Sequence, residues 1–452
     1  MSLQSKSSMT RRISIAFTLL LSLAGLAIAA GPKVVITSPD NGEMDVSPDV
    51  TEIRIQFDQP MSPRGRSVVG GGENFPDISG DLKWADNETF IIPVTLKPDH
   101  QYQFSINSDA FKGFANTSGQ PAEWYTVSFH TRAASAAPAA PDVTPDQNKL
   151  ALAALKQAID QDYAHRDRLK IDWDKEITKR QKSFENAKSA NEFARLTAHL
   201  LRVSEDGHVW VEAGAVHIGT HTNSAPPNFN IQLLAQTVPQ WTEHSNGIVT
   251  GRFDDGIGYI LFSECSKEQA DGFDAALDDM KDTKALIIDA RLNGGGDEIA
   301  AQQVAGRFIE KPAVYAKDRI YEAGNWTGPF DRTVQPRNDA QRYDKPVAVL
   351  IGAKVVSSAE SFVLMMRQAT NAKLIGDVTG GSSGRPMPHQ LGNSVTVYLP
   401  SWEDQLPDGT PLEGRGVRPD ILIKTNLRDL AKSDAVVEGA LKRLRAIGNG
   451  AP

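Results

Sequence analysis

The chain contains 452 residues, of which 40% are hydrophobic and 23% are charged, and its formal net charge at pH 7 is -8. This length accommodates two or more domains of the usual size of about 100–200 residues. The acidic balance argues against a basic surface for nucleic acid. The single cysteine, Cys265, excludes an intrachain disulfide. Because it follows an apolar strand pattern, we predict a core residue rather than a nucleophile.

The N-terminal segment has the pattern of a signal peptide over residues 1–29. Arg11 and Arg12 precede an apolar stretch, and Ala27-Ile28-Ala29 fits the small-x-small cleavage pattern. The stretch is short for a membrane span, although a retained anchor is the alternative. We therefore expect an exported protein, periplasmic or extracellular, with no membrane span after signal removal.

Residues 33–132 have the pattern of an all-β domain. Short alternating strands such as Thr51 to Phe57 are separated by turn clusters such as Ser38-Pro39-Asp40-Asn41-Gly42, which is typical of a sandwich. The opening turn, Phe57 to Met61 and the closing Phe129-His130-Thr131 together resemble bacterial Ig-like domains. Since no cluster of reactive residues lies here, we expect a spacer or binding module.

The remaining chain divides by pattern into four segments. An Ala/Pro-rich stretch at 133–146 predicts an exposed linker. Helical periodicity over 147–213 predicts a helical cap, and strands alternating with helices over 247–425 predict an α/β core. Residues 426–452 are expected to form a C-terminal helix and tail.

Two short motifs follow apolar strand patterns within the predicted α/β core. Ser357 and Ser358 stand at a helix start after Val347 to Ile351, where a serine is usually only a helix cap. Gly294-Gly295-Gly296 comes after Ala285 to Asp289 and allows backbone N–H groups to approach a carbonyl. Together they can supply a nucleophile and an oxyanion hole.

With Asp206-Gly207-His208 upstream and Glu413-Gly414 downstream, the set resembles the carboxy-terminal processing peptidases, the tail-specific and tricorn-core serine peptidases. The resemblance covers about residues 148–425. It implies a multidomain protein in which an Ig-like sandwich precedes an α/β, ClpP/crotonase-like serine peptidase domain with an N-terminal helical cap.

The resemblance also implies residue roles. The family nucleophile is the first serine of Ser-x-x-Glu, which is Ser357, with Ser358 as its rival. His208 is then the base, since a serine nucleophile needs a base with a pKa near neutrality. Gly295 and the amide of Ser358 are the expected oxyanion donors.

The family has two branches, which differ in the partner of the serine. The Ser–Lys branch places its lysine where this chain has Ser382, so a dyad is disfavoured. In the tricorn-like branch a glutamate helps to orient the histidine, and Glu413 matches this glutamate. In the same branch a second serine immediately precedes the histidine. Here Gly207 stands in that place. The fourth member is either missing or replaced by Ser382, Ser383 or Asp206.

His217 and His221 have a spacing that suggests zinc, but the sequence places no acidic ligand with them, so we predict no metal site. The chemistry of a serine acyl-enzyme needs no cofactor. We recognise no PDZ segment between His208 and Gly251.

The function predicted from the sequence is that of an exported serine peptidase acting on a protein or peptide substrate through an acyl-enzyme, with no nucleic-acid partner. One alternative is a non-catalytic peptide- or ligand-binding protein on the same fold, since a fold does not fix a function. A serine esterase is the other.

Overall fold

The computed structural model describes residues 31–39, 41–43, 46–108, 110–133, 143–214, 216–221, 225–338, 340–425, 429–430 and 432–448. The predicted signal peptide, and residues 134–142 of the predicted linker, lie outside the described residues. None of the helices described has the length and apolarity that a bilayer crossing requires.

In chain order, the first eight strands belong to the N-terminal module, and the remaining elements form the cap and the α/β core. The strands are β1 Val34–Ser38, β2 Glu52–Phe57, β3 Val68–Val69, β4 Asp77–Ile78, β5 Lys83–Trp84, β6 Thr89–Thr95, β7 His100–Ile106, β8 Tyr125–Thr131, β9 Trp210–Ala213, β10 Val216–Gly219, β11 Thr242–Glu243, β12 Val249–Arg252, β13 Ile257–Leu261, β14 Ala285–Asp289, β15 Ala313–Glu322, β16 Asn325–Val334, β17 Val347–Ile351, β18 Ala372–Gly376, β19 Pro386–Gln390, β20 Thr396–Pro400, β21 Trp402–Gln405 and β22 Ile421–Leu422. The helices are α1 Pro145–Asp162, α2 Trp173–Glu185, α3 Ala190–Leu201, α4 Ile231–Thr237, α5 Lys267–Asp279, α6 Glu298–Ala305, α7 Ser358–Arg367 and α8 Ala435–Gly448, with a 3-10 turn at Arg202–Ser204.

The N-terminal module is a sandwich of two antiparallel sheets. One has the order β1-β2-β6-β4, with β5 also on β6, and the other has the order β3-β7-β8. Inward residues alternate along the strands, so Ile53, Ile55 and Phe57 of β2 enter one core with Phe104 and Phe129. The all-β prediction is confirmed.

The cap is larger than the helical segment that the sequence predicts. α1 starts at Pro145, because Thr144 and Gln147 form a capping box and proline suits the first helical position. The three cap helices pack on a four-stranded sheet of order β10-β9-β20-β19. Two of its strands come from the segment predicted as α/β core, because β20 pairs with β9.

The α/β core is built on a seven-stranded sheet of order β11-β12-β13-β14-β17-β18-β22. Its strands from β13 to β22 are parallel, and β13, β14 and β17 are buried along their whole length. This burial requires helices on both faces. α5, α6 and α7 cover one face, and α4 and α8 cover the other.

The Ig-like module contacts the cap instead of being separated from it. Arg195 of α3 donates to the carboxylate of Glu43, which is only 3% exposed. Lys33 Nζ lies 3.9 Å from Glu205 Oε1, just before the Asp206-Gly207-His208 turn. The module therefore borders the segment that carries His208.

A buried ion network fixes the loop that follows β14. The Arg291 side chain is fully buried, and its Nη2 lies 2.7 Å from Asp289 Oδ2 and 2.9 Å from Asp434 Oδ2. Its Nη1 also donates to the carbonyl of Asn228 at 2.8 Å. Since Asp434 immediately precedes α8, Arg291 ties the C-terminal helix to the glycine loop.

We expect Arg291→Ala to lower the free energy of unfolding by about 3–5 kcal/mol, because removing one partner leaves buried carboxylates uncompensated. The matched control is Arg252→Ala, which removes a partly exposed ion pair with Asp282 and should cost less than about 1 kcal/mol. Urea unfolding followed by tryptophan fluorescence measures both. Equal costs for the two variants would refute the assignment of Arg291 as an anchor.

Candidate active site

The serine motif and the glycine motif meet because their strands are parallel neighbours. β14 pairs with β17 in register from Leu286 with Val347 to Asp289 with Leu350. The carboxyl ends of both strands therefore lie at the same edge of the sheet, where ligands bind in open α/β folds. The glycine loop follows one strand and the Ser357 turn follows the other.

Ser357 occupies a strained position at the start of α7. Its φ of 58° and ψ of -136° lie outside the regions that favour a side chain, and its hydroxyl caps no helical N–H. The hydroxyl has no hydrogen-bond partner among the described residues. Ser358 differs, because its Oγ donates to the carbonyl of Gly296 at 2.7 Å. The structure thus leaves the Ser357 hydroxyl available and engages that of Ser358.

Gly295 packs directly against the serine turn. It has a φ of 99°, and a Cβ placed on it would lie 2.7 Å from Ser357 Cβ and 3.0 Å from the nitrogen of Ser358. Only glycine fits this close approach. Cys265 donates its backbone N–H to the Gly295 carbonyl at 2.9 Å. Its thiol is buried, which raises its pKa to about 12, in keeping with the predicted core role.

One expected oxyanion donor is occupied in this structure. The backbone N–H of Gly295 donates to Asn293 Oδ1 at 2.9 Å. In this structure the N–H is therefore not available as a donor to a substrate carbonyl oxygen. Asn293 is itself fixed by its bond to the carbonyl of Phe262 at 3.2 Å. The Ser358 N–H, in contrast, has no acceptor in the described part of the chain, since the first turn of a helix leaves its amides unpaired.

His208 lies against Ser382 and not against a carboxylate. Its Nδ1 is 2.9 Å from Ser382 Oγ, and its backbone N–H donates to Asp206 Oδ1 at 2.9 Å. A Cβ on Gly207 would come within 3.1 Å of Ser382 Oγ, so the glycine leaves room for that hydroxyl. Burial lowers the pKa of His208.

Ser382 joins His208 to the Ser357 turn. Its carbonyl accepts the Ser357 N–H at 2.7 Å, while its hydroxyl meets His208. Its own N–H donates to Glu360 Oε2 at 2.9 Å, and Gly381 donates to the other oxygen at 2.9 Å. Glu360 is fully buried, and burial raises its pKa to about 8. The glutamate of the Ser-x-x-Glu motif thus holds the Ser382 turn.

Glu413 makes no hydrogen bond to His208 in this structure, and its expected part in orienting the histidine stays a prediction. Its Oε2 accepts the backbone N–H of Ser383 at 2.8 Å. It lies with His165 and Asp206 in a buried cluster whose ligand atoms are within 4.8 Å of one another. Burial and the neighbouring Asp206 charge raise the pKa of Glu413 to about 7.

Of the auxiliary candidates, Ser382 reaches the histidine, Ser383 holds Glu413 through its backbone, and Asp206 lies beneath the His208 turn. Sequence reasoning missed His165 and gave Glu360 no role beyond marking the motif. His165 follows α1 and lies far upstream of the motifs in the sequence. The only signal that could have drawn attention to it is its closeness in sequence to Tyr163, which is buried.

The His165, Asp206 and Glu413 cluster has the composition of a metal site, but its bonds describe a hydrogen-bond network. Asp206 Oδ2 accepts from Tyr163 Oη at 2.9 Å and meets His165 Nδ1 at 2.8 Å, which uses both its lone pairs. His217 Nδ1 lies 3.3 Å from Glu212 Oε1, and the two form no three-ligand group with His221 among the described residues.

Comparison with known proteins bears on both domains. Residues 256–423 match the sequence model of peptidase family S41, and residues 29–131 match that of a bacterial Ig-like domain. The carboxy-terminal processing protease CtpA of Bacillus subtilis is 26% identical over 207 residues, which are 45% of this chain and 41% of that protein. The carboxy-terminal-processing protease of Bartonella bacilliformis is 24% identical over 203 residues, 42% of this chain and 43% of that protein.

The chain thus spans less than half the length of these curated relatives. Among solved structures, a candidate peptidase of Parabacteroides merdae has a TM-score of 0.61 and 24% identity, over 69% of this chain and 99% of that one. This likeness shows the fold. The family resemblance is confirmed: the chain carries a peptidase family S41 domain, a domain of the serine peptidase type, behind a bacterial Ig-like domain.

Proposed function

We propose that this protein is an exported serine peptidase in which Ser357 attacks the peptide carbonyl and His208 accepts its proton. One observation carries the proposal. A serine with strained backbone and an unused hydroxyl sits at a helix N-terminus, packed against Gly295 and linked to a histidine through Ser382. Backbone strain of this kind clusters at active sites.

The tautomer of His208 follows from its bond to Ser382. When Nδ1–H donates to Ser382 Oγ, Nε2 keeps its lone pair and is the nitrogen that can take the Ser357 proton. Ser357 and His208 make no direct hydrogen bond in this structure. Such bonds often tighten only when substrate is bound, so we expect binding to close this gap.

The developing oxyanion would be held by the N–H of Ser358, whose position at the start of α7 adds the positive end of the helix dipole. We propose that the Gly295 amide joins it only after exchanging its bond with Asn293. The peptide nitrogen then leaves with the proton from His208. Water attacks the acyl-enzyme in the second half, with His208 again serving as base and then acid.

The substrate class is proposed from the relatives, which are named for carboxy-terminal processing. We infer a protein or peptide substrate met outside the cytoplasm, supported by the N-terminal charge and apolar pattern and the bacterial Ig-like domain. A serine esterase would use the same residues. A non-catalytic binding protein would have no use for the strained Ser357 turn.

We expect Ser357→Ala to abolish hydrolysis of an unstructured peptide, whereas Ser358→Ala retains most of it, because the Ser358 amide persists in alanine. Peptide turnover measured by mass spectrometry on both variants decides the matter. Loss of activity in Ser358→Ala with full activity in Ser357→Ala would reverse the assignment. Ester turnover without peptide turnover in the wild type would favour the esterase.

We expect Gly295→Ala to lower kcat by at least about 100-fold, since a methyl group 2.7 Å from Ser357 Cβ displaces the nucleophile. The control is Gly294→Ala, where a Cβ meets nothing within 4 Å. That variant should keep activity near the wild-type level. Equal losses in the two variants would show that the loop, and not the contact with Ser357, matters.

We expect kcat/KM to fall at acid pH with a midpoint below the ordinary histidine pKa of about 6.5. Neutral His208 is the active form, and its burial lowers its pKa, so activity persists to lower pH than for an exposed histidine. A pH–rate profile on a peptide substrate measures this, with inactive His208→Ala as control. A midpoint above about 8 would point to a lysine base instead.

A further inference from the structure

A second histidine lies behind the first, on the far side of Asp206. The His165 side chain is 2% exposed and that of Asp206 is fully buried, and the ring Nδ1 is 2.8 Å from Asp206 Oδ2. On the other carboxylate oxygen, Asp206 accepts the backbone N–H of His208 at 2.9 Å. One buried carboxylate thus bridges the two histidines.

The same carboxylate fixes the turn that carries His208. Its Oδ2 accepts from Tyr163 Oη at 2.9 Å, and the backbone carbonyl of Asp206 separately accepts from Thr220 Oγ1 at 3.2 Å. A buried charge with this many donors stays ionised, and its pKa is lowered to about 2 because the charge and hydrogen bond of His165 outweigh the effect of burial.

His165 is itself suited to carry a positive charge. Its Nδ1 faces the Asp206 carboxylate at 2.8 Å, and Glu413 belongs to the same cluster, whose ligand atoms lie within 4.8 Å of one another. Burial alone would lower its pKa, but the charge of Asp206 and their hydrogen bond outweigh burial and raise it.

Other charges surround this cluster. Arg168 donates to the carbonyl of Glu205 at 2.9 Å and so lies at the back of the turn. The titratable and charged groups that face the network are Tyr163, Arg168, His208, His221, Glu360, Asp404 and Glu413. Burial lowers the pKa of His208, the charge of Asp206 raises it, and the charge of His165 lowers it.

We propose that His165 is a positioning residue that holds a positive charge against Asp206, which keeps His208 neutral and ready to accept the proton of Ser357. The inference rests on the proposed function, because it assigns His208 as base. His165 touches no substrate. It acts by cancelling the carboxylate charge next to the His208 turn, so that the buried Asp206 orients the turn without drawing a proton onto the base.

The test compares kcat/KM profiles against pH for the wild-type full chain, His165→Asn and Tyr163→Phe. Asparagine retains a donor toward Asp206 but has no positive charge to oppose protonation of His208. The acid-side midpoint of kcat/KM should therefore move to higher pH by roughly one unit. Tyr163→Phe removes a donor to the same oxygen without changing charge near neutrality, and its midpoint should stay within about 0.3 units. A uniform loss of rate in His165→Asn with an unmoved midpoint would overturn the proposal.

A second readout does not depend on activity. Because the pKa of His165 is raised on folding, its stabilising effect is present below the ordinary value of about 6.5 and is lost as pH rises through the folded value. The loss of stability in His165→Asn should therefore be larger at pH 6 than at pH 9, measured by urea unfolding. Equal losses at both pH values would overturn the charged state. If this difference appears but no peptide is cleaved, the proposed function fails and the charge assignment stands.

Discussion

The site depends on the hydrogen bonds of one residue, Ser382. Its carbonyl fixes the backbone of Ser357, and its hydroxyl fixes the ring of His208. The two groups come from segments far apart in sequence, on the cap and on the core, so their alignment needs a shared support. That support is held by the buried Glu360, which accepts the N–H groups of Gly381 and Ser382. Displacement of this turn would disturb Ser357 and His208 together.

The same position explains how the site departs from both family branches. Ser382 stands where the Ser–Lys branch has its lysine, and Gly207 stands where the tricorn-like branch has a serine before the histidine. In the folded chain these two residues lie next to each other. Gly207 has no side chain and so leaves room for the Ser382 hydroxyl. Glu413 makes no hydrogen bond to His208 and lies with His165 and Asp206.

Much of the fold could be predicted from the sequence, because its signals are local. Alternation along β2 and the apolar runs of β14 and β17 are properties of a few neighbouring residues. The start of α1 at Pro145 differs from the prediction, because Thr144 to Asp146 fall within the segment predicted as linker. The cap sheet could not be predicted, since β9 pairs with β20 across the whole core. The position of the Ser357 turn follows from its motif, whereas the contacts of His165 and the bond between Asn293 and Gly295 arise from tertiary structure without a local sequence pattern.

The most direct test of this account is the rate at which a fluorophosphonate labels Ser357 in the wild type and in Ser382→Ala, followed by intact mass and peptide mapping. We expect the wild type to be labelled at Ser357. Ser382→Ala, folded to the same degree by circular dichroism, should be labelled at least about tenfold more slowly, since the His208 ring is no longer held. Equal rates in the two proteins, or no labelling of the wild type, would contradict this account.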